Sequence, residues 1–535
     1  MKIRLISFII IVASLNIAKA QYEEIPEERL SCTSITVGKK ATTDGSVITS
    51  HTCDGNYRAW IDIVKRQKAS KDTIAEVYEG RMHTDHSQGA RGMKLKGTVP
   101  LKAETYSFVN TAYPCLNEKQ LGIGETTIGG RKELVNTEGM FYIEELERLA
   151  LQQCTTARDA IRLMGDLATT YGYADSGECL TIADKNEVWQ FEIFGSGPGK
   201  ASAVWAAQRI PDNQVGVSAN ISRISEIDLN NPDYFMASAN VKEVAKKMKL
   251  WDGKEPFKFW KAYAGMNYFK EPKNFSIREF FLLNKIAPKQ MTGYKFDDEE
   301  LPFSVVPEKN LSAQDVMELL TETYEGTEYD MTRNLKITKK NKTTGEVDTL
   351  ISPVANPWMT TDTRNMLNGL QKDAVSNWRT VSVPQCAYST VIQLRDWLPD
   401  DIGGVAWIAF DNPGQSPRIP VFSGTQDLPD CFKVDGQNRF DENSALWRFR
   451  KGNKLATVKY GLTKDEMKSA RKRFVEKGVT ELPFVENRYN EIMNTEGEEA
   501  ARKFLTDYTA EFVGAAILRW DELAKKYWTQ FSRGF

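Results

Sequence analysis

Residues Ser31 to Asn56 read S-C-T-S-I-T-V-G-K-K-A-T-T-D-G-S-V-I-T-S-H-T-C-D-G-N. Two β-rich runs, Thr33 to Val37 and Ser46 to Thr52, flank Ala41-Thr42-Thr43-Asp44-Gly45. Asp-Gly between such runs is a strong signal for a tight hairpin turn. With the fold-back centred near Thr43, Cys32 falls opposite Asp54 to within a residue or two. The hairpin then gathers a thiol, a carboxylate and His51 at one end. Taken alone it also fits a structural reading, in which these are ordinary polar edge residues or Cys32 pairs with Cys53.

The residues before the hairpin favour chemistry. Lys2 and Arg4 precede an apolar run from Leu5 to Ile17, followed by Ala18-Lys19-Ala20, the pattern of a secretory signal and its cleavage site. The run is too short to span a bilayer as a stable helix. Gln21 to Ser31 carries four carboxylates, Glu23, Glu24, Glu27 and Glu28, and little to bury, as expected of a short propeptide. Its removal makes Cys32 the N-terminus. A free α-amine, with a pKa of about 7.7 to 8.0, is matched to a thiol of about 8.5. One residue then supplies both nucleophile and base.

Several further segments, in order, carry a family resemblance. These are the Cys-Thr-Ser start, the D-G-S turn, Asn117-Glu118-Lys119-Gln120-Leu121 with Gly124-Glu125-Thr126-Thr127, Val204-Trp205-Ala206-Ala207-Gln208-Arg209, and Trp378-Arg379 with Ser382-Val383-Pro384. Together they resemble the cysteine dipeptidases related to secernins, which are N-terminal-nucleophile hydrolases. The resemblance runs from about Cys32 to the C-terminus. It implies an α+β fold, a four-layer αββα sandwich over residues 32–455 with an insertion at about 222–308, then a helical region over 456–535.

Composition agrees with a folded enzyme. The chain has 535 residues, 41% of them apolar, and a net charge of −2, enough for a large core and without the basic excess of a nucleic-acid binder. No later apolar run is long enough for a transmembrane helix. Seven cysteines leave at least one unpaired in a secreted protein, and Cys32 is the choice. Cys53, Cys115, Cys154, Cys179, Cys386 and Cys431 either form up to three disulfides or stay reduced.

Strands are expected at Ala59 to Lys65, Tyr106 to Ala112 and Leu121 to Ile128, and helices at Tyr142 to Leu151 and Ala157 to Tyr171. The first helix should bury Ile143, Leu146, Leu149 and Ala150. Strands follow at Leu180 to Asp184, Val188 to Phe194, Ala203 to Gln208 and Val215 to Ala219, then at Tyr388 to Leu394 and around Gly403 to Phe410. That order suits a layered α+β domain. Lys336 to Asp348 reads as an exposed hairpin, with a glycosylation sequon at Asn341. Three C-terminal helices are expected, Lys464 to Lys477, Phe484 to Met493 and Glu498 to Trp528. The last has an apolar stripe, Phe504, Tyr508, Phe512, Ala516, Trp520, Leu523 and Tyr527, which packs back on the main domain or forms a dimer contact.

The resemblance assigns roles residue by residue. Cys32 is the nucleophile, Asp54 holds its α-ammonium, and Asn220 donates to the oxyanion. Arg379 lies near the nucleophile or serves as a structural ion-pair partner. Glu125, Thr126 and Thr127 are candidates to line the substrate pocket, or are polar groups satisfied by the sheet. Related amidases carry R-x-x-D where this chain has His51-Thr52-Cys53-Asp54, so His51, when protonated, is a partial substitute for the missing cation. His83-Thr84-Asp85-His86 is read as an exposed loop, and no metal or other cofactor is expected. The implied function is a secreted or periplasmic cysteine dipeptidase acting on short peptides, with a homo-oligomer as an option. An acylase-type amidase acting on a non-peptide amide, and a non-catalytic binding protein of the same fold, remain open here.

Overall fold

The computed structural model describes residues 32–68, 73–102, 104–199, 201–265 and 273–533. The expected signal and propeptide, residues 1–31, lie outside them. Strands β1 (Ser34–Val37) and β2 (Val47–Asp54) form the hairpin read from the sequence. Its turn is fixed by the Asp44 carboxylate, which accepts from the Ser46 N–H at 3.0 Å, and by Gly45 at φ 82°, a left-handed conformation that suits glycine. Val37 pairs with Ile48, and the Thr52 N–H donates to the Thr33 carbonyl at 3.0 Å. This register sets Cys32 across from Cys53 with Asp54 next along, one residue from the expected pairing and inside its margin.

Further strands follow in chain order. They are β3 (Asp62–Val64), β4 (Phe108–Asn110), β5 (Leu116–Asn117), β6 (Gly122–Thr127), β7 (Glu178–Ala183), β8 (Val188–Gly195), β9 (Ala203–Ile210) and β10 (Val215–Ser218). After them come β11 (Phe235–Ala237), β12 (Ser304–Val305), β13 (Cys386–Leu394), β14 (Gly404–Phe410) and β15 (Ile419–Phe422). One seven-stranded sheet has the order β12-β10-β1-β2-β13-β14-β15, and an eight-stranded sheet the order β11-β9-β8-β7-β6-β5-β4-β3. Every pairing in both is antiparallel. The sheets pack on each other where β6 and β7 meet β2. The α+β class expected from the element order is the one observed.

Helices cover the outer faces. Helices α1 (Ile143–Gln153) and α2 (Ala157–Tyr171) lie on the eight-stranded sheet, with Ile143, Leu146, Leu149 and Ala150 buried as the periodicity requires. The sequence reading leaves Glu144 and Glu147 outside that stripe, yet both are buried. The reason is that α1 shares its core with Ala75, Val77 and Val99 of a separate two-stranded hairpin, so the helix is covered on a second side.

On the seven-stranded sheet lie α4 (Ala445–Thr457), α5 (Tyr460–Thr495) and α6 (Glu498–Phe531); α3 (Lys273–Ile286) contributes to the core near β10. The α6 stripe of Phe512, Ala516, Trp520, Leu523 and Tyr527 joins one cluster with Ile408, Phe410, Ile419 and Val421, so it packs back onto the sheet. Two of the expected C-terminal helices are a single one, because α5 runs through Pro483 without ending. A proline removes one backbone bond and kinks or breaks an exposed helix. Here Leu482 and Val485 on either side of it are buried, and their packing holds the helix together. Helix α4 was not read from the sequence. The Lys336–Lys340 and Val347–Ile351 strands form the exposed hairpin as expected.

Where the sheets cross, glycine is required. A Cβ on Gly124 would lie 2.3 Å from the Ser50 carbonyl oxygen, and backbone on that side has nowhere to go. The contact brings β6 against the hairpin and so carries Glu125 to His51. Gly124→Ala should therefore destabilise the protein by about 1–3 kcal/mol or more through overpacking. A thermal melt unchanged from the parent would show that the sheets can part at this point.

Candidate functional site

Cys32 sits just before β1, and its carbonyl is the first thing held. Arg278, from α3, donates through one Nη to the Cys32 carbonyl at 2.5 Å and to Thr33 Oγ1 at 2.8 Å. Its other Nη donates to the Ala219 carbonyl at 3.1 Å and to Asn220 Oδ1 at 2.7 Å. The neighbouring Glu279 accepts from the Ala219 N–H at 3.0 Å and pairs with Arg223. An Arg-Glu dipeptide on one helix thus clamps the end of β10 against the start of β1. Arg278 was missed in the sequence, although two adjacent charges within the apolar stretch Ile277 to Leu283 are a signal of buried partners.

The clamp also decides which way Asn220 points. A guanidinium only donates, so the amide oxygen must face Arg278 and the amide nitrogen must face away. Nδ2 then donates to the Thr127 carbonyl at 2.6 Å and keeps a second N–H. Asn220 has φ 67°, a left-handed conformation that asparagine tolerates better than most residues. The observed strand ends at Ser218, and Asn220 follows in a turn held from two sides.

Asp54 ends β2. Its Oδ2 accepts from Thr52 Oγ1 at 2.9 Å and from Arg379 Nη2 at 2.7 Å. Thr52 Oγ1 in turn accepts from the Thr33 N–H at 2.9 Å. The other oxygen, Oδ1, is buried and accepts no hydrogen bond among the described residues. The Asp54 backbone lies within hydrogen-bonding reach of the Cys32 sulfur. Arg379 is 6% exposed, so the Asp54–Arg379 pair is a buried one.

His51 does not serve as the cation that the missing R-x-x-D arginine would supply. Burial lowers its pKa to about 4, so it is neutral at physiological pH. The fixed positive charge beside Asp54 comes instead from Arg379, distant in sequence. His51 Nδ1 lies 2.7 Å from the Glu125 carbonyl, and its ring stands edge-on to Tyr113 at 5.4 Å between centroids.

Of the three residues proposed for the pocket, Glu125 reaches the thiol, with a carboxylate oxygen within 4.8 Å of the Cys32 sulfur. Burial raises its carboxyl to about 7, and its Oε1 accepts from Thr127 Oγ1 at 3.0 Å. Thr127 meets Asn220 through its carbonyl. Thr126 turns to Ser218, with the two hydroxyl oxygens 2.6 Å apart, and ties the sheets together. The Cys32 thiol, 1% exposed, is pushed well up by burial and then by the charges of Glu125, Cys53 and Asp54, so in the full-length chain it is protonated at neutral pH. All seven cysteines are free thiols in the structure. His83 stacks on Tyr57 and His86 packs against Trp60.

If Asn220 donates to a developing oxyanion, Asn220→Asp should lower kcat by about 10²–10³-fold with KM little changed. A carboxylate there would also face the Thr127 carbonyl, so the variant's melting temperature must be measured alongside. A fall in KM-independent activity that tracks unfolding alone would remove Asn220 from the reaction.

Residues 31–473 match the family model for peptidase family C69. The chain is 25% identical over 421 residues to a protein of Latilactobacillus sakei named "Probable dipeptidase", covering 76% of this chain and 77% of that one. It is 23% identical over 434 residues to "Probable dipeptidase B" of Lactococcus lactis subsp. lactis (strain IL1403), covering 78% and 79%. With Dipeptidase A of Lactobacillus helveticus the identity is 20% over 496 residues, covering 89% of this chain and 92% of that protein. The matched span holds the hairpin, the Asn220 turn, Arg278 and Arg379 alike, and the chain belongs to peptidase family C69.

Proposed function

We propose that the protein is an exported cysteine dipeptidase whose mature chain begins at Cys32, and that the two facing sheets with their outer helices form an N-terminal-nucleophile hydrolase sandwich. The observation that carries this is Asp54. Its Oδ2 is saturated by Thr52 and Arg379 while its buried Oδ1 has no described donor, beside a residue that acquires an ammonium group once the preceding residues are removed. A buried carboxylate oxygen without a donor is costly, and a new N-terminal ammonium is a donor of the right charge. The family match beginning at residue 31 and the dipeptidase names of the relatives support the same reading.

In the mature enzyme the neutral Cys32 amine takes the thiol proton and Sγ attacks the peptide carbonyl. Asn220 Nδ2 donates to the tetrahedral oxyanion. The ammonium returns its proton to the leaving amine, and water then hydrolyses the thioester. His51 is a poor alternative base, since a pKa near 4 is far below that of the raised thiol. Arg379 beside Asp54 also removes the reason given by the absent R-x-x-D arginine for expecting a fold without turnover.

The full-length chain should be expressed in a secreting host, and the purified protein assayed on dipeptides, tripeptides and N-acyl amino acids. N-terminal sequencing and intact mass should report Cys32 as the first residue, with dipeptides the preferred substrates. An active protein that begins at Gln21 would overturn the maturation step, and preference for N-acyl amino acids would overturn the substrate class.

A further inference from the structure

The Cys32 Sγ, a ring nitrogen of His51 and a carboxylate oxygen of Glu125 lie within 4.8 Å of one another, and all three residues are buried. Hydrogen bonds account for part of the trio, since the Glu125 carboxyl reaches the Cys32 thiol and His51 Nδ1 meets the Glu125 backbone, but they leave one ring nitrogen and one carboxylate oxygen over. His51 Nδ1 is engaged with the Glu125 carbonyl, whereas Nε2 has no partner among the described residues. Glu125 Oε2 is likewise buried without a hydrogen-bond partner. Nδ1 faces the Glu125 carbonyl at 2.7 Å and the Glu125 N–H at 3.3 Å; in the tautomer that donates to the nearer carbonyl, Nε2 keeps its lone pair, the usual way a ligating histidine is oriented.

The donor types select the ligand. Thiolate, imidazole and carboxylate together suit zinc or a similarly soft divalent ion, whereas calcium and magnesium call for oxygen donors throughout. Zinc bonds of about 2.0–2.3 Å place its ligand atoms roughly 3.3–3.7 Å apart, a contraction that side-chain rotation can supply. Structural zinc sites take four ligands. On the reading that Cys32 becomes the N-terminus, its α-amine and thiolate close a five-membered ring on one metal ion and provide the fourth.

We propose that the mature active site binds one zinc ion through the Cys32 amine and thiolate, His51 and Glu125, and that this zinc reversibly switches the peptidase off. On binding, the thiol gives its proton to solvent, as does the α-ammonium when it is protonated, and the zinc–sulfur and zinc–nitrogen bonds replace them. A coordinated thiolate has its lone pair committed to the metal and cannot attack a carbonyl. No change of oxidation state occurs, so a chelator restores activity. The inference rests on the proposed N-terminal nucleophile for the fourth ligand and for the inhibition.

The test uses mature protein stripped with EDTA. Equilibrium dialysis against zinc chloride should give one zinc per chain, and cobalt chloride should give a near-ultraviolet thiolate-to-cobalt charge-transfer band. Dipeptide hydrolysis should fall with zinc occupancy and return with EDTA. Glu125→Gln, shown folded by its thermal melt, should bind zinc at least tenfold more weakly in competition with a zinc indicator. Cys32→Ala should lose the cobalt band and bind at least a hundredfold more weakly. Equal zinc affinity in Cys32→Ala, or no cobalt band in the parent, would overturn the site. Dialysis and spectroscopy do not require turnover. If dipeptides are cleaved from a Cys32 N-terminus but zinc does not bind, the metal site alone falls. If zinc binds and no peptide is cleaved, the dipeptidase reading falls and the switch with it, while the binding site stands. If zinc binds without affecting hydrolysis, the switch is overturned.

Discussion

Cys32→Ala is expected to abolish dipeptide hydrolysis, lowering kcat/KM by about 10⁴-fold or more, while the melting temperature stays within a few degrees of the parent. On the proposed mechanism the variant loses the covalent route altogether, and what remains is binding and oxyanion stabilisation. The structural change is small, since one buried sulfur is deleted and the Cys32 backbone remains held by Arg278. Cys32→Ser should fold equally well and hydrolyse slowly, because a hydroxyl is a much weaker nucleophile near neutral pH. Iodoacetamide treatment of the native mature protein should inactivate it in proportion to labelling of Cys32. Inactivation that tracks any of the other six thiols would show that the nucleophile lies elsewhere.

Asp54→Asn is expected to lower kcat by about 10³-fold and also to destabilise the protein. The second effect follows from the ion pair: removing one partner leaves Arg379 as a buried charge, at a cost of about 3–5 kcal/mol. The two effects can be separated. The double variant Asp54→Asn/Arg379→Met should recover much of the lost stability, because the stranded charge is gone, yet recover none of the activity. The pH profile gives an independent readout. A carboxylate beside the Cys32 amine favours its ammonium form and raises the amine pKa, so its loss lowers that pKa. The acidic limb of kcat/KM should therefore move to lower pH in the variant. A double variant with near-normal kcat per folded molecule and an unmoved acidic limb would reduce Asp54 to a structural residue.

What could be read from the sequence was local. The Asp44-Gly45 turn and its flanking β-branched runs fix the hairpin through neighbours only, so Cys32, His51 and Asp54 come together with a register error of one residue. The amphipathic helices α1, α2 and α6 were legible for the same reason, since their stripes repeat within each helix. What the sequence concealed depends on distant partners. Arg278 lies in an insertion with weak periodicity, and nothing nearby says that its guanidinium reaches Cys32 and Asn220. The sequence leaves Arg379 between two roles; only the fold shows it paired with Asp54. His51 seemed a candidate cation because a sequence gives its ordinary pKa and not its burial. The gap expected between the Lys464–Lys477 and Phe484–Met493 helices is absent, because the chain continues as one helix through Pro483 with Leu482 and Val485 buried beside it.

The strand that carries Asp54 is completed only by residues made very late. Its partner on one side is β13, and the Asp54–Arg379 pair joins residues 325 positions apart in the chain. Until that part of the polypeptide has been synthesised, β2 has an open edge and Asp54 lacks the Arg379 counter-charge. Contacts of such long sequence separation make folding slow and leave the nascent chain prone to aggregation, so the protein should depend on holding chaperones during its synthesis. The same delay works as a clock. The nucleophile's surroundings cannot assemble on a half-made chain, and a peptidase built this way stays inert on the ribosome.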